Sequence, residues 1–175
     1  MAEPGETFVY NSGATQLLSQ VLKQATGMHA DAYAEAHLFK PLGISNYYWK
    51  HTPTDHADTE GGLYLTPRDL AKIGYLFLRG GVWDGTRILP EEFVRASTMM
   101  QITTGADARA LDYGFQWWVE RGPQTAFAAL GYGGQRLIVI PDLDVVAVFT
   151  GWNVYTTPPL DTLFAIRTLR QAVHR

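Results

Sequence analysis

The sequence predicts an α+β fold within the broad α/β class: helical segments leading into an antiparallel sheet that a C-terminal helix closes. Three observations carry this. The first third shows apolar residues at three- and four-residue spacing, the last third shows short apolar runs separated by turns, and the C-terminus returns to helical spacing after Pro158-Pro159. At 175 residues and 46% hydrophobic content, the chain is expected to form one domain over residues 1–175 with a core of its own.

In chain order, Ala14, Leu17, Leu18, Val21, Leu22 and Ala25 line one face of a helix that Asn11 or Ser12 caps and Gly27 ends. A second helix, about Ala30 to Phe39, runs into Pro41, which lacks the N–H needed to continue it. Tyr48 to Gly62, with WKHTPTDHADTEGG, is polar and punctuated and reads as a long loop. Thr66 is placed as N-cap of the next helix, with Pro67 first and Asp69 third; Leu70, Ile73, Tyr75, Leu76 and Phe77 supply its apolar face. A short helix follows over Pro90 to Met99. YGFQWWVE (Tyr113 to Glu120), QRLIVI (Gln135 to Ile140) and VVAVFT (Val145 to Thr150) read as strands, with a turn at Pro141 to Asp144. Leu163, Ile166, Leu169 and Val173 then mark the closing helix, Leu160 to His174, packed on that sheet.

Composition excludes several functions. A net charge of −3 with no Lys/Arg cluster leaves no phosphate track for nucleic acid. The absence of cysteine removes disulfides, thiolate nucleophiles and Cys-based metal sites. No apolar run reaches membrane-spanning length, MAEPGETF lacks the layout of a signal peptide, and no compartment is indicated.

Three places carry candidate chemistry. Tyr10 and Ser12 stand at the mouth of the first helix. They are either an aromatic and a cap, or half of an active site, and a phenol near pKa 10 acts as a base only beside positive charge. LGYGGQ, Leu130 to Gln135, is either a glycine-rich turn at a strand start or a backbone that approaches a ligand and offers N–H groups to an oxyanion. His51, Asp55, His56, Asp58 and Glu60 match no metal-ligand spacing, so no metal and no cofactor is expected. His29, His37 and His174 receive no role. Trp83, Trp117, Trp118 and Trp152 either line an apolar pocket or belong to the core. The serines are Ser12, Ser19, Ser45 and Ser97; none lies in G-x-S-x-G, and none has lysine three residues later.

PGETFVYNSGATQLLSQVLKQATGMHADAYAEAHLFKPLGI, GGLYLTPRDLAKIGYLFLRGG and LGYGGQRLIVIPDLDVVAVFTG together resemble the serine β-lactamase-like and penicillin-binding superfamily. That group holds class C β-lactamases, D-alanyl-D-alanine carboxypeptidases, related esterases and 6-aminohexanoate-dimer hydrolases. The resemblance covers nearly the whole chain and implies a partial β-lactamase/transpeptidase-like fold. It places the Y-x-N or Y-x-S motif on Tyr10-Asn11-Ser12, where the tyrosine moves the proton of the nucleophilic serine and of the leaving group. It places the third motif on Tyr132-Gly133-Gly134, with the Gln135 N–H as an oxyanion donor and the loop around Trp49 shaping the acyl pocket. Tyr132 standing where lactamases carry the lysine of K-T-G removes the cation that would hold a β-lactam carboxylate, which favours ester or amide substrates.

Family enzymes carry S-x-x-K well before the tyrosine motif, and these residues contain none. The resemblance thus implies the C-terminal portion of a hydrolase of ester, amide or peptide bonds, incomplete or inactive alone. The alternatives are a non-catalytic module that binds a ligand or protein, and a half complemented by an N-terminal segment on another polypeptide. Bare apolar surface would then favour homo-oligomers or capture of a partner.

Overall fold

The computed structural model describes residues 3–105, 110–123, 125–152 and 161–173. Leu160, His174 and the Pro158-Pro159 pair lie outside the described residues. The chain divides into two compact units, Tyr10–Asp69 and, with the segment up to Val9, Leu70–Arg175.

The smaller unit begins with α1, Ser12–Thr26. Asn11 is the residue that caps it: its Oδ1 accepts the Ala14 N–H at 3.1 Å, and the chain has extended dihedrals there. Gly27 ends it at φ 75°, donating its N–H to the Lys23 carbonyl at 2.8 Å. Helix α2, Ala30–Ala34, widens into a π-helical turn over Glu35–Phe39, where Lys40 N–H reaches the Glu35 carbonyl five residues back.

The stretch expected as a loop is in part a hairpin. Strand β1, Tyr47–Trp49, pairs antiparallel with β2, Leu63–Leu65, and the His51–Ala57 bridge extends the pairing. The physical reason is cross-strand contact: Tyr48 and Tyr64 lie directly opposite, ring centroids 5.8 Å apart, on a face open to solvent. Helix α3, Pro67–Leu78, starts as expected, with Thr66 Oγ1 accepting the Asp69 N–H and donating to Asp69 Oδ2 at 2.7 Å. The boundary between the units falls within it.

The larger unit is built on a five-stranded antiparallel sheet in the order β5-β6-β7-β8-β9. A small hairpin, β3 Val82–Trp83 with β4 Thr86–Arg87, and helix α4, Glu91–Thr98, precede it. The run Tyr113 to Glu120, expected as one strand, is two: β5 Leu111–Tyr113 and β6 Trp118–Glu120. Gly114 forces the break, because it packs so closely on the Ser97 and Met99 carbonyls that no side chain fits, and Gln116 turns the chain at φ 65°. Strand β7, Phe127–Gly131, was not expected from the sequence; β8 is Gln135–Ile140 and β9 is Val145–Thr150.

Both faces of this sheet are covered. Ala126, Ala128, Ile138 and Ile140 pack against α5, Thr162–Val173, through Ala165 and Ile166. On the other face Trp117, Val119, Phe127, Leu137 and Val139 meet Leu70, Phe77 and Leu78 of α3. Gly74 allows that approach, since a Cβ there would stand 2.7 Å from Leu137 Cδ1 and 2.8 Å from Val146 Cγ1. Trp117 and Trp118 are core residues, Trp83 stacks edge-on against Tyr75, and Trp152 is 73% exposed. Among the described residues no helix is long and apolar enough to cross a membrane, and no group of His, Asp and Glu is arranged to hold a metal.

Candidate functional site

In the smaller unit, Tyr10 and Ser12 stand on either side of the Asn11 cap, with Tyr10 exposed and Ser12 half-buried. The sequence YNSG builds this locally. Asn11 supplies the cap, and Gly13 leaves room for it, because a Cβ at Gly13 would lie 3.1 Å from Asn11 Oδ1. One turn on, Gln16 binds α1 to the hairpin loop: its Nε2 donates to the Ala57 carbonyl at 3.0 Å and its Oε1 accepts the Thr59 N–H at 3.1 Å. Thr59 returns a bond from its hydroxyl to the Thr15 carbonyl at 2.9 Å.

That loop also seats Trp49. Its indole N–H donates to the Asp58 carbonyl at 2.8 Å, and the buried Asp58 carboxylate accepts the N–H groups of Glu60 and Gly61. Lys50 Nζ lies 3.6 Å from the same carboxylate. Gly62 closes the loop against Asp58 with no space for a side chain. Tyr10, Ser12 and Trp49 thus lie in one unit, in which Gln16 and Thr59 tie α1 to the loop and Asp58 seats Trp49. Sequence reasoning set Asp58 aside as part of a solvated loop and did not use Gln16 or Thr59. The roles of Gln16 and Thr59 rest on contacts across 41 to 44 residues.

The outer part of the loop carries His51 between two carboxylates, Nδ1 to Asp55 at 2.9 Å and Nε2 to Asp31 at 3.2 Å. The bond to Asp55, with the Asp31 charge, raises the imidazole above its ordinary range against the opposing effect of burial, and His51 in turn lowers Asp55. Tyr47 is driven the wrong way for a base: burial first, then the Glu35 carboxylate, push its phenol up. Glu35 is itself held low by Lys40, 3.0 Å away.

In the larger unit, Tyr132, Gly133 and Gly134 form the turn between β7 and β8, with Gly131 directly opposite Gln135. Tyr132 is 80% exposed at its tip. Gly133 and Gly134 adopt φ 78° and 92°, dihedrals that only glycine takes without strain. Gly131 has no room for a Cβ beside the Gln135 side chain, and Gly151 lies against the Gly133 and Gly134 carbonyls. Gly133 and Gly134 are thus required by their backbone dihedrals, and Gly131 by its closeness to Gln135.

The turn is held from below by a residue that sequence reasoning missed. Arg136 is 9% exposed; its Nη1 donates to the carbonyls of Gly131 at 2.9 Å and Gln135 at 2.6 Å, and its Nε donates to Thr162 Oγ1 at 3.0 Å, at the start of α5. The signal was present as the one charge inside QRLIVI. A second link between sheet and helix is the two-pronged pair of Arg170 with Glu120, both contacts at 2.8 Å, which raises the already high Arg170 value. Tyr132, Gly133, Gly134 and Gln135 are thus brought together as one rigid corner.

Phe8 belongs to the same unit and packs on Tyr113 and Trp118, centroids 5.1 and 5.8 Å away. It anchors the segment that leads into Tyr10.

The family model described as Beta-lactamase matches residues 1–165. An uncharacterized protein of Alkalihalophilus pseudofirmus is 27% identical over 184 residues, covering 88% of this chain and 54% of that protein. The 6-aminohexanoate-dimer hydrolase of Paenarthrobacter ureafaciens is 28% identical over 164 residues, covering 81% of this chain and 38% of that enzyme. A Bacillus anthracis protein, described as a candidate 6-aminohexanoate-dimer hydrolase, superposes with a TM-score of 0.85 at 27% identity, over 99% of this chain and 45% of that one. The chain spans about half, or less, of the length of these relatives. With a tyrosine motif at a capped helix mouth, a glycine corner entering a strand and a family match over nearly all its residues, the chain belongs to the beta-lactamase family.

Proposed function

We propose that this chain contributes the proton-handling and oxyanion elements of a serine hydrolase acting on ester or amide bonds, and that the serine–lysine pair comes from polypeptide outside these 175 residues. The observation that carries the reading is the Tyr132–Gln135 corner, whose flanking carbonyls are occupied by a buried arginine and whose two glycines hold left-handed dihedrals. A backbone fixed in this way suits preorganised stabilisation of charge.

In the complete site the serine Oγ attacks the acyl carbon and its proton passes to the Tyr10 phenolate, while the oxyanion is received by the Gln135 N–H. The same proton then goes to the departing alcohol or amine, which leaves the acyl-enzyme for water to cleave. Ser12 hydrogen-bonds beside the substrate, and Tyr132, Gly133, Gly134 and Trp49 line the acyl group. The Paenarthrobacter relative is named for hydrolysis of the 6-aminohexanoate dimer, and an exposed tyrosine at the turn tip lacks the charge that would select a carboxylate. Small ester and amide substrates follow.

A second reading is a binding module on the same scaffold. The exposed face of α1 favours it, with Leu17, Leu18 and Val21 at 59%, 47% and 58% exposure. Treating the purified chain with a serine-directed fluorophosphonate and measuring its intact mass tests the proposal. An unmodified, folded chain is expected; a stoichiometric adduct on Ser12 or another serine would show a nucleophile within these residues and end the reading.

A further inference from the structure

We infer that the end of the five-stranded sheet carrying the glycine corner is a subsite for an uncharged aryl group of the substrate, with Trp152 as its main contact. The inference rests on the reading just given and names the substrate class for it. The five strands run antiparallel in chain order, so successive connections leave the sheet at alternate ends. The turn at 114–117, the corner at 131–135 and the exit of β9 at 150–152 therefore share one end. The register agrees: Trp118 stands opposite Ala128, Gly131 opposite Gln135, and Gln135 opposite Thr150.

The two ends of the sheet differ in chemistry. The three segments that share the corner's end, GFQW, GYGGQ and TGW, contain no Asp, Glu, Lys, Arg or His. The opposite end carries Glu120, Arg121, Asp142 and Asp144. Large aromatic side chains gain most by entering a core, as Trp117 and Trp118 do. At the corner's end Phe115, Tyr132 and Trp152 are instead 50%, 80% and 73% exposed. Aromatic side chains with a few backbone polar groups among them are the composition of a small-molecule site.

The backbone that carries these rings is fixed. Phe115 donates its N–H to the Ser97 carbonyl at 3.0 Å, and Gly114 donates to the Trp117 carbonyl at 2.8 Å. A Cβ at Gly151 would stand 3.3 Å from the Gly133 carbonyl oxygen and 3.4 Å from that of Gly134, so the exit of β9 lies against the corner. Trp152 is the next residue. A ring already fixed loses little entropy when a ligand meets it. The chemistry of the ligand follows: an aryl group stacks on the indole, while the carbonyl it bears accepts the Gln135 N–H. A charge on that aryl group would lose its hydration with no opposite charge in the three segments to replace it. Arg136, next in sequence to the corner, is buried and donates to the Gly131 and Gln135 carbonyls.

The test is titration of the ¹⁵N-labelled chain with phenylacetamide and, separately, with its 4-carboxy derivative, read by NMR at the Trp152 indole N–H and the Gln135 backbone N–H. With phenylacetamide the two signals are expected to move together and saturate. The 4-carboxy derivative should bind about tenfold more weakly. Trp152→Ala should weaken the response at Gln135 by about tenfold, and Trp152→Phe should restore most of it. Equal affinity for the two compounds overturns the inference, because a charged ring is then accepted. A saturating response at Gln135 that is indifferent to Trp152→Ala also overturns it, and leaves the hydrolase reading standing. Movement of Trp152 alone supports the aryl subsite and counts against Gln135 as the oxyanion donor. If neither signal moves, the inference fails, and the fluorophosphonate experiment decides the hydrolase reading by itself.

Discussion

The two candidate regions, one in each compact unit, stand on foundations of different strength. The Tyr132–Gln135 corner continues directly into β8, whose residues from Arg136 to Ile140 are all buried, and its carbonyls are gripped by Arg136. The Tyr10–Ser12 mouth opens a helix whose one buried residue is Ser19 and whose Leu17, Leu18 and Val21 face solvent. The glycine corner is held by a core made of its own unit. The Tyr10–Ser12 mouth is held by a cap and by a few polar bonds to a loop.

The comparison is broken most directly at Arg136. Arg136→Ala strips two carbonyls and the Thr162 hydroxyl of a buried charged donor, and the larger unit should lose about 2–4 kcal/mol in urea unfolding. A loss below about 1 kcal/mol would mean that the glycine turn holds itself. Next in size, Gly134→Ala places a side chain at φ 92° and should cost about 1–3 kcal/mol by the same measurement, with no effect on the first turn of α1. Asn11→Ala removes the cap bond to Ala14 and should cost about 1 kcal/mol, read as faster amide exchange in the first turn of α1 while the sheet amides stay unchanged.

The smallest effect is expected from pH at the His51 loop. Because the folded state raises His51, its contribution is complete below the ordinary value of 6.5 and fades as pH rises through the higher folded value. Asp55, lowered chiefly by the same bond, contributes above its ordinary 3.8 and loses that contribution as pH falls through its lower folded value. Loop protection near Asp55 should therefore be greatest in mildly acid solution and decline above neutrality, as a proton-exchange profile corrected for intrinsic rates would show. A flat profile would mean that the hairpin and Asp58 hold the loop without His51.

Much of this was legible along the chain because it depends on local chemistry. The start of α3 follows from Thr66, Pro67 and Asp69, and the end of α1 from Gly27, since caps are short-range devices. Strand β7 was hidden because FAALG is rich in alanine and ends in glycine, a composition that takes the strand state only between β6 and β8. The break at Gly114 was hidden for a related reason: what excludes a side chain there is the Ser97 carbonyl, 17 positions earlier in the chain. At the candidate residues, the tyrosine motif and the glycine corner were read by resemblance, whereas the supports at Gln16 and Arg136 emerged from long-range contacts.

By itself the sequence determined the family, the α+β class, the helices with their caps, and the residues Tyr10, Ser12 and Tyr132 to Gln135 as the places to look. Those depend on periodicity, on motif spacing and on side chains that act on their immediate neighbours. Only the tertiary structure decided that the glycine corner rests on a buried arginine and that Trp49 is seated by Asp58. It also decided that, among the described residues, β5 and β9 are the outer strands of the five-stranded sheet. Burial, pairing and exposure belong to surfaces that meet, and the meeting of distant surfaces is set by the fold as a whole.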